Sequence, residues 1–180
     1  GRTPWHQDAG VMNKKGQKGT ELVTCWIPFT KTRIENGCMI AVKESHKYGL
    51  VNHVTGSKGQ VEIKGKEIID KLPTVALEAD VGDIILLNKY LLHCSLPNKS
   101  KNFRISMDLR FNKAGQPSGR DPLPNFIIRS KNKNKIKIQN YKQWIALWEE
   151  AKVKCIPRKW SYKYPLPTFK GSERDLPNII

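Results

Sequence analysis

Short runs of β-forming residues, each closed by a turn signal, fill most of the first 111 residues and confine this stretch to an all-β core. Glu21–Phe29 is rich in β-formers and ends at Pro28, and the Glu35-Asn36-Gly37 turn then leads into Cys38–Val42. Thr74–Glu78 and Asp83–Leu87 flank a turn at Val81-Gly82. Arg104–Phe111 alternates, with Ile105, Met107, Leu109 and Phe111 on one face. Between these lies Leu50–Leu72, polar and carrying Gly56, Gly59 and Gly65, which is expected as an excursion between strands. Strands this short with regular turns predict a sandwich, jelly roll or barrel. No apolar run approaches the ~18 residues of a membrane-spanning helix.

Beyond Phe111 the character changes. Gly115–Pro124 is dense in Gly and Pro and is expected to be a loop. Arg129–Lys137 holds five basic residues and no acid, which predicts a solvated stretch. Tyr141–Val153 spaces Trp144, Leu147, Trp148 and Ala151 at helical intervals, predicting an amphipathic helix whose tryptophans pack into the core. From Ile156 onward Pro157, Pro165, Pro167 and Pro177 predict an extended tail. At 180 residues the chain is expected to form one domain.

The net charge of +16 invites a nucleic-acid reading. Its make-up argues otherwise: 24 of the basic residues are Lys and 8 are Arg, whereas the planar Arg fork suits phosphate and base recognition. A joint excess of Lys, Asn and Ile is what an AT-rich genome produces without selection for binding. Cys25, Cys38, Cys94 and Cys155 contain no CxxC pair, so zinc-ribbon spacing is absent and reduced thiols in a cytoplasmic protein are expected.

The chemistry concentrates on few residues. His6 and Asp8 form an H-x-D pair, and in an extended segment both point to one face. With His93 they make two imidazoles and a carboxylate, the facial set of a non-haem Fe(II) oxygenase. H-x-D is common by chance, and a distant His narrows it little. Arg104 follows His93 by 11 residues, and Ser95 shares the face of His93 if the strand continues. Such an arginine suits a two-pronged grip on a carboxylate, although alone it reads equally well as a strand-edge residue paired with a surface acid.

Taken together, Thr3-Pro4-Trp5-His6-Gln7-Asp8, Glu35-Asn36-Gly37-Cys38, Glu44-Ser45-His46, Val81-Gly82-Asp83 and His93-Cys94-Ser95 followed by Arg104 resemble the phytanoyl-CoA dioxygenase family in order and spacing. The resemblance covers Gly1 to about Phe111, and Gly115–Ser130 with the Trp144/Trp148 helix resembles the C-terminal extension of bacterial members. It implies a double-stranded β-helix, a cupin-type jelly roll, with a C-terminal helical extension. Residues 1–111 would be the C-terminal part of that core, and 112–180 an extension of the same domain. It also implies Fe(II) held by His6, Asp8 and His93, and 2-oxoglutarate anchored by Arg104. Trp26 would line the co-substrate pocket, Ser95 would assist Arg104, and O2 would be the oxidant. A small organic substrate would be hydroxylated, with succinate and CO2 as co-products. The carboxylate of Asp8 argues for hydroxylation over halogenation, which needs a small residue there.

Three departures stand out. Family members usually carry a long stretch before the H-x-D pair that is not in this sequence. The family's Pro-Gly-Ser-His reads Lys43-Glu44-Ser45-His46, so that turn must form without its Gly. The excursion Leu50–Leu72 matches no subgroup of known substrate. His46 is expected to hold its turn, and His53 to lie in a loop. The competing readings are an oxygenase acting on nucleic acid or a nucleic-acid-associated protein, and a non-catalytic jelly-roll binding module. No specific nucleic-acid partner and no membrane span are expected.

Overall fold

A computed structural model describes residues 2–155, apart from 57–59, 70, 122, 133 and 135–139. Among the described residues eight strands carry the fold: β1 (Leu22–Pro28), β2 (Met39–Val42), β3 (His53–Thr55), β4 (Val61–Ile63), β5 (Thr74–Leu77), β6 (Ile85–Asn88), β7 (His93–Ser95) and β8 (Ser106–Asn112). They pair antiparallel into sheets of order β6-β1-β8 and β5-β2-β7, with β3 and β4 forming a separate hairpin. The predicted strands therefore form within a residue or two of their expected ends. The helix α1 (Lys14–Gly19) precedes β1, and the excursion 50–72 is more ordered than its polarity suggested, since it carries that hairpin and the short helix α2 (Lys66–Ile69).

The two three-stranded sheets face each other. Trp26 and Leu87 from the first meet Met39 from the second in one buried cluster. A second cluster gathers Trp5, Val42, Val51, Ile63, Leu92 and Cys94, joining the hairpin to the second sheet. Turn chemistry fits the connections: Gly37 and Gly82 sit at φ +87° and +102°, where a side chain is strained. Where the family resemblance led one to expect Gly, Glu44 takes φ +58°, so a non-Gly residue bears the left-handed conformation. Cys38 and Cys94 are buried and Cys25 half-buried, all as free thiols.

Alternation along β8 holds, but its apolar face looks outward. Register pairs Leu109 with Cys25 and Phe111 with Val23, and Leu86 joins this row from β6. Phe111 and Leu109 are each 38% exposed and Leu86 65%. The opposite face of β8 carries Arg104, Ser106, Asp108 and Arg110, set toward Trp26 and Thr24 of β1. β8 thus runs against the simple expectation, with its polar face along the cleft and its apolar face outward. Met107→Lys is expected to change the unfolding free energy by less than ~0.5 kcal/mol and to delay heat-induced aggregation. Trp26→Ala, on the inner face, should cost about 3–5 kcal/mol. Denaturant melts with light scattering check both; a large loss from Met107→Lys would mean that this face is covered.

The C-terminal helix forms as α3 (Tyr141–Cys155), but its stripe does not enter the core. Trp144 and Trp148 remain 44% and 37% exposed and pack edge-on against each other at 6.2 Å, while Ala151 is buried. Ion pairs Lys152–Glu149 and Lys154–Glu150 occupy the last turns. The loop 115–121 docks by backbone, Gly119 accepting from the Asn13 amide at 2.7 Å. Much of the basic run 129–137, the proline-bearing tail and the Cys155 side chain lie outside the described residues. Among the described residues no helix is long and apolar enough to cross a membrane.

Candidate metal centre

The H-x-D pair is built by a β-bridge. His6 and His93 face each other across this bridge, and Trp5, Leu92 and Cys94 beside them belong to one buried cluster. The His6 amide donates to the His93 carbonyl at 3.0 Å, and the His93 amide to that of His6 at 3.1 Å. Directly opposed residues of an antiparallel pair share a face, which brings the two imidazole centroids to 4.2 Å. Each ring is also fixed in rotation. His6 Nδ1 lies 2.9 Å from the Pro4 carbonyl, and His93 Nδ1 the same distance from that of Leu91. A carbonyl only accepts, so Nδ1 carries the proton and the Nε2 lone pair is available to a metal ion.

Gln7, between the two ligands, is fully buried. Its side-chain amide donates to the carbonyls of Gly49 and Tyr90 and accepts from the Val51 amide at 2.9 Å. It therefore clamps the segment on the side opposite the ligands. Asp8 opens a 3-10 turn (Asp8–Val11) and is 1% exposed. One carboxylate oxygen accepts from the Thr24 hydroxyl at 2.6 Å and the other from Arg110 at 2.8 Å. The candidate ligand atoms of His6, Asp8 and His93 lie within 4.8 Å of one another. Two imidazole nitrogens with fixed tautomers and one ionised carboxylate form a donor set suited to a first-row divalent ion such as Fe(II).

Charge states follow from burial. Desolvation and the neighbouring His93 lower the His6 pKa to about 4, so the ring is neutral at working pH. Asp8 is held at about 2: its burial alone would raise the value, but Arg110, His93 and Thr24 together outweigh that. For His6 the unfolded chain takes up a proton near 6.5 and the folded chain near 4. In that window the unfolded state binds more protons, so stability falls as pH falls. The expected loss between pH 6.5 and 4.5 is on the order of 1–3 kcal/mol, and His6→Gln should flatten the slope in urea melts. An unchanged slope in that variant would show that His6 does not titrate this way.

His6, Asp8, His93, Arg104, Ser95 and Trp26 all line one open cleft. The Arg104 guanidinium sits 5.7 Å over the Trp26 ring and donates to the Ser106 hydroxyl at 3.0 Å. Ser95, buried, is engaged elsewhere, its hydroxyl accepting from the Thr3 amide at 2.7 Å. The hydroxyl beside Arg104 is therefore that of Ser106. Ser106, Thr24 and Arg110 escaped the sequence reading, although strand alternation places Ser106 and Arg110 on the face of Arg104, and Thr24 on that of Trp26.

Two histidine expectations need correction. His53 is no loop residue: it begins β3, is 4% exposed, and its Nε2 accepts from the Gln7 amide at 3.0 Å. A side chain at Gly10 would meet this ring at 2.4 Å. His46 is exposed, and its turn is held instead by buried Ser45, whose hydroxyl donates to the Val42 carbonyl and accepts from the Leu92 amide, both at 2.9 Å.

The chain is similar to a known family and to several known proteins. The family model described as Phytanoyl-CoA dioxygenase (PhyH) matches residues 1–106. A phytanoyl-CoA dioxygenase domain-containing protein 1 homolog of Dictyostelium discoideum is 32% identical over 119 residues, covering 62% of this chain and 41% of that protein. A 1-deoxypentalenic acid 11-beta-hydroxylase of Streptomyces arenae is 27% identical over 145 residues, covering 74% and 49%. The chain spans less than half the length of these two relatives. The crystal structure of EvdO2 from Micromonospora carbonacea var. aurantiaca complexed with 2-oxoglutarate superposes with a TM-score of 0.55 at 17% identity, covering 77% of this chain and 52% of that one. At that identity the likeness speaks for the fold, and the facing sheets are those of a double-stranded β-helix, the cupin-type jelly roll.

Proposed function

The chain belongs to the phytanoyl-CoA dioxygenase family, and from that membership we propose that it hydroxylates a small organic substrate as an Fe(II)- and 2-oxoglutarate-dependent dioxygenase. One observation carries the reading: the bridged imidazoles of His6 and His93, with Asp8, open onto the same cleft as Arg104. A binding module without chemistry has no need of two tautomer-fixed imidazoles beside a buried, ionised carboxylate.

His6, Asp8 and His93 would hold the iron, which with 2-oxoglutarate and O2 supplies the oxidising power for hydroxylation and leaves succinate and CO2. The protein's own part is orientation and exclusion of water. Thr24 and Arg110 hold the Asp8 carboxylate in place from either oxygen. Arg104, over the Trp26 ring and steadied by Ser106, would present its fork to the distal carboxylate of 2-oxoglutarate. Leu87 and Met39 add apolar side chains to a cleft lined mainly by polar ones. Names of relatives support a small organic substrate, since one is a hydroxylase of 1-deoxypentalenic acid. We assign residues 1–111 to the jelly-roll core and 112–180 to its extension, within one domain.

The test incubates the protein with Fe(II), 2-oxoglutarate and a metabolite extract under air and reads the products by mass spectrometry. The expected result is succinate together with a compound that has gained one oxygen atom. If 2-oxoglutarate is neither bound nor consumed, the reading fails.

A further inference from the structure

Among the described residues of the cleft wall, Asp108 is the acid that the proposed chemistry leaves idle. It lines the cleft together with His6, Asp8, His93, Arg104 and Trp26. Its place follows from the period of β8, which sets Arg104, Ser106, Asp108 and Arg110 one after another on a single face. Register puts Asp108 directly opposite Trp26 of β1, so the two side chains share that face. On one side of Asp108, Arg104 donates to Ser106 at 3.0 Å. On the other, Arg110 donates through Nη2 to Asp8 at 2.8 Å, and the same nitrogen lies 3.8 Å from Asp108. One guanidinium nitrogen thus joins the two carboxylates. Asp108 stands between the arginine assigned to 2-oxoglutarate and a candidate metal ligand.

That shared nitrogen does not satisfy Asp108. A separation of 3.8 Å leaves an ion pair but is too long for a hydrogen bond, and the short bond goes to Asp8. Among the described residues no group donates a hydrogen bond to the Asp108 carboxylate. Its side chain is 46% exposed, so water serves it while the cleft is open. A molecule that fills the cleft to reach the metal set displaces that water. An apolar group put in its place leaves the carboxylate desolvated and unpaired, which is costly, and a second anion is repelled. An N–H or O–H restores what the water gave. Thr24, the nearby hydroxyl of the facing strand, already donates to Asp8, so the donor has to arrive with the substrate.

We propose that Asp108 is a specificity-determining residue that accepts a hydrogen bond from a hydroxyl or ammonium group of the primary substrate and turns away substrates with an anionic group at that point. The inference rests on the functional reading above. It narrows a small organic substrate to one that carries a hydrogen-bond donor near the carbon to be oxidised. A polar group that the substrate covers rejects an analogue lacking its partner far more sharply than an apolar wall rejects an extra methylene, so one carboxylate has large leverage.

The test follows the side-chain carboxylate carbons of the full chain by carbon-13 NMR, with Zn(II) as a diamagnetic stand-in for iron and 2-oxoglutarate added to saturation. Cyclohexylamine, cyclohexylmethanol and cyclohexanecarboxylate are then titrated in separate arms. The Asp108 signal is identified by its loss in Asp108→Asn. The expected result is that the amine, the alcohol or both move that signal saturably, while the carboxylate does not and Asp80, paired with Arg33 elsewhere, stays still. A response to the amine alone identifies an ammonium, and to the alcohol alone a hydroxyl. Asp108→Ala should raise the half-saturation of the responding probe about tenfold or more, and Asp108→Asn, which keeps an acceptor oxygen, by less. Neither variant should weaken 2-oxoglutarate, whose anchor is Arg104. If neither donor probe moves Asp108 in the parent, if the carboxylate binds as well as they do, or if Asp108→Ala binds the probe as the parent does, the assignment is wrong. If 2-oxoglutarate is not bound while a donor probe still moves Asp108, the functional reading falls and the donor site stands.

Discussion

His93→Ala and His6→Ala are each expected to abolish Mn(II) binding in a calorimetric titration, a loss of at least 100-fold, and with it all 2-oxoglutarate turnover. Mn(II) serves as an air-stable stand-in for Fe(II) with the same taste for nitrogen and oxygen donors. The candidate site offers three protein ligands, and after either substitution two remain, too few to hold a labile divalent ion at ordinary concentrations. The backbone bridge between the two residues is made by amides and carbonyls, so the variants should keep it and fold. A graded comparison separates holding the ion from steadying its ligand. Thr24→Val removes the hydroxyl that donates to Asp8 at 2.6 Å but leaves all three ligands, and should cost about 10–100-fold. If either histidine variant binds Mn(II) like the parent, the metal assignment is wrong. If Thr24→Val costs as much as His93→Ala, Asp8 depends on its support more than the geometry implies.

Much of this site was legible in the sequence because its residues lie on strands, and strands have a fixed two-residue period. His6 and Asp8 in one segment, and Arg104 at the head of an alternating run, could be placed on faces before any coordinates. What the period cannot give is which face is inside. Ile105, Met107, Leu109 and Phe111 form an apolar stripe, and hydrophobicity alone would turn it to the core. Register instead sets Arg110 opposite Thr24 and Asp108 opposite Trp26 along the cleft, and the stripe points out. The sign of a face depends on the partner strand, which is a long-range fact.

The missed residues share that cause. Ser45 and Ser95 flank the same strand pairing, yet Ser45 rather than His46 ties the turn, because its hydroxyl reaches the Leu92 amide 47 residues away. His53 was hidden by its polar surroundings in the sequence; only the packing of Gly10 and Gln7 against its ring makes it a buried support for the H-x-D segment. Trp144 and Trp148 erred the other way. Helical spacing predicts a helix correctly, but it says nothing of whether a surface exists for the stripe to cover.

Arg104→Lys is expected to raise the half-saturation for 2-oxoglutarate by roughly tenfold or more, the equivalent of ~1.5–3 kcal/mol in charge-assisted hydrogen bonding, with Mn(II) affinity unchanged. Lysine keeps the positive charge, so a purely electrostatic anchor would barely notice the exchange. Two features of the cleft make geometry decisive instead. The guanidinium carbon lies 5.7 Å from the Trp26 ring centroid, within cation–π reach, which positions the whole fork. One of its nitrogens is also spent on Ser106 at 3.0 Å, which sets the direction in which the remaining donors point. Ser106→Ala should therefore give a smaller shift of a few-fold, by loosening the fork without removing it. Arg110 is no substitute anchor, being already bound to Asp8 at 2.8 Å. Calorimetry of 2-oxoglutarate against the Mn(II)-loaded protein reads these values directly, and an Arg104→Lys variant with parental affinity would move the carboxylate anchor to another residue.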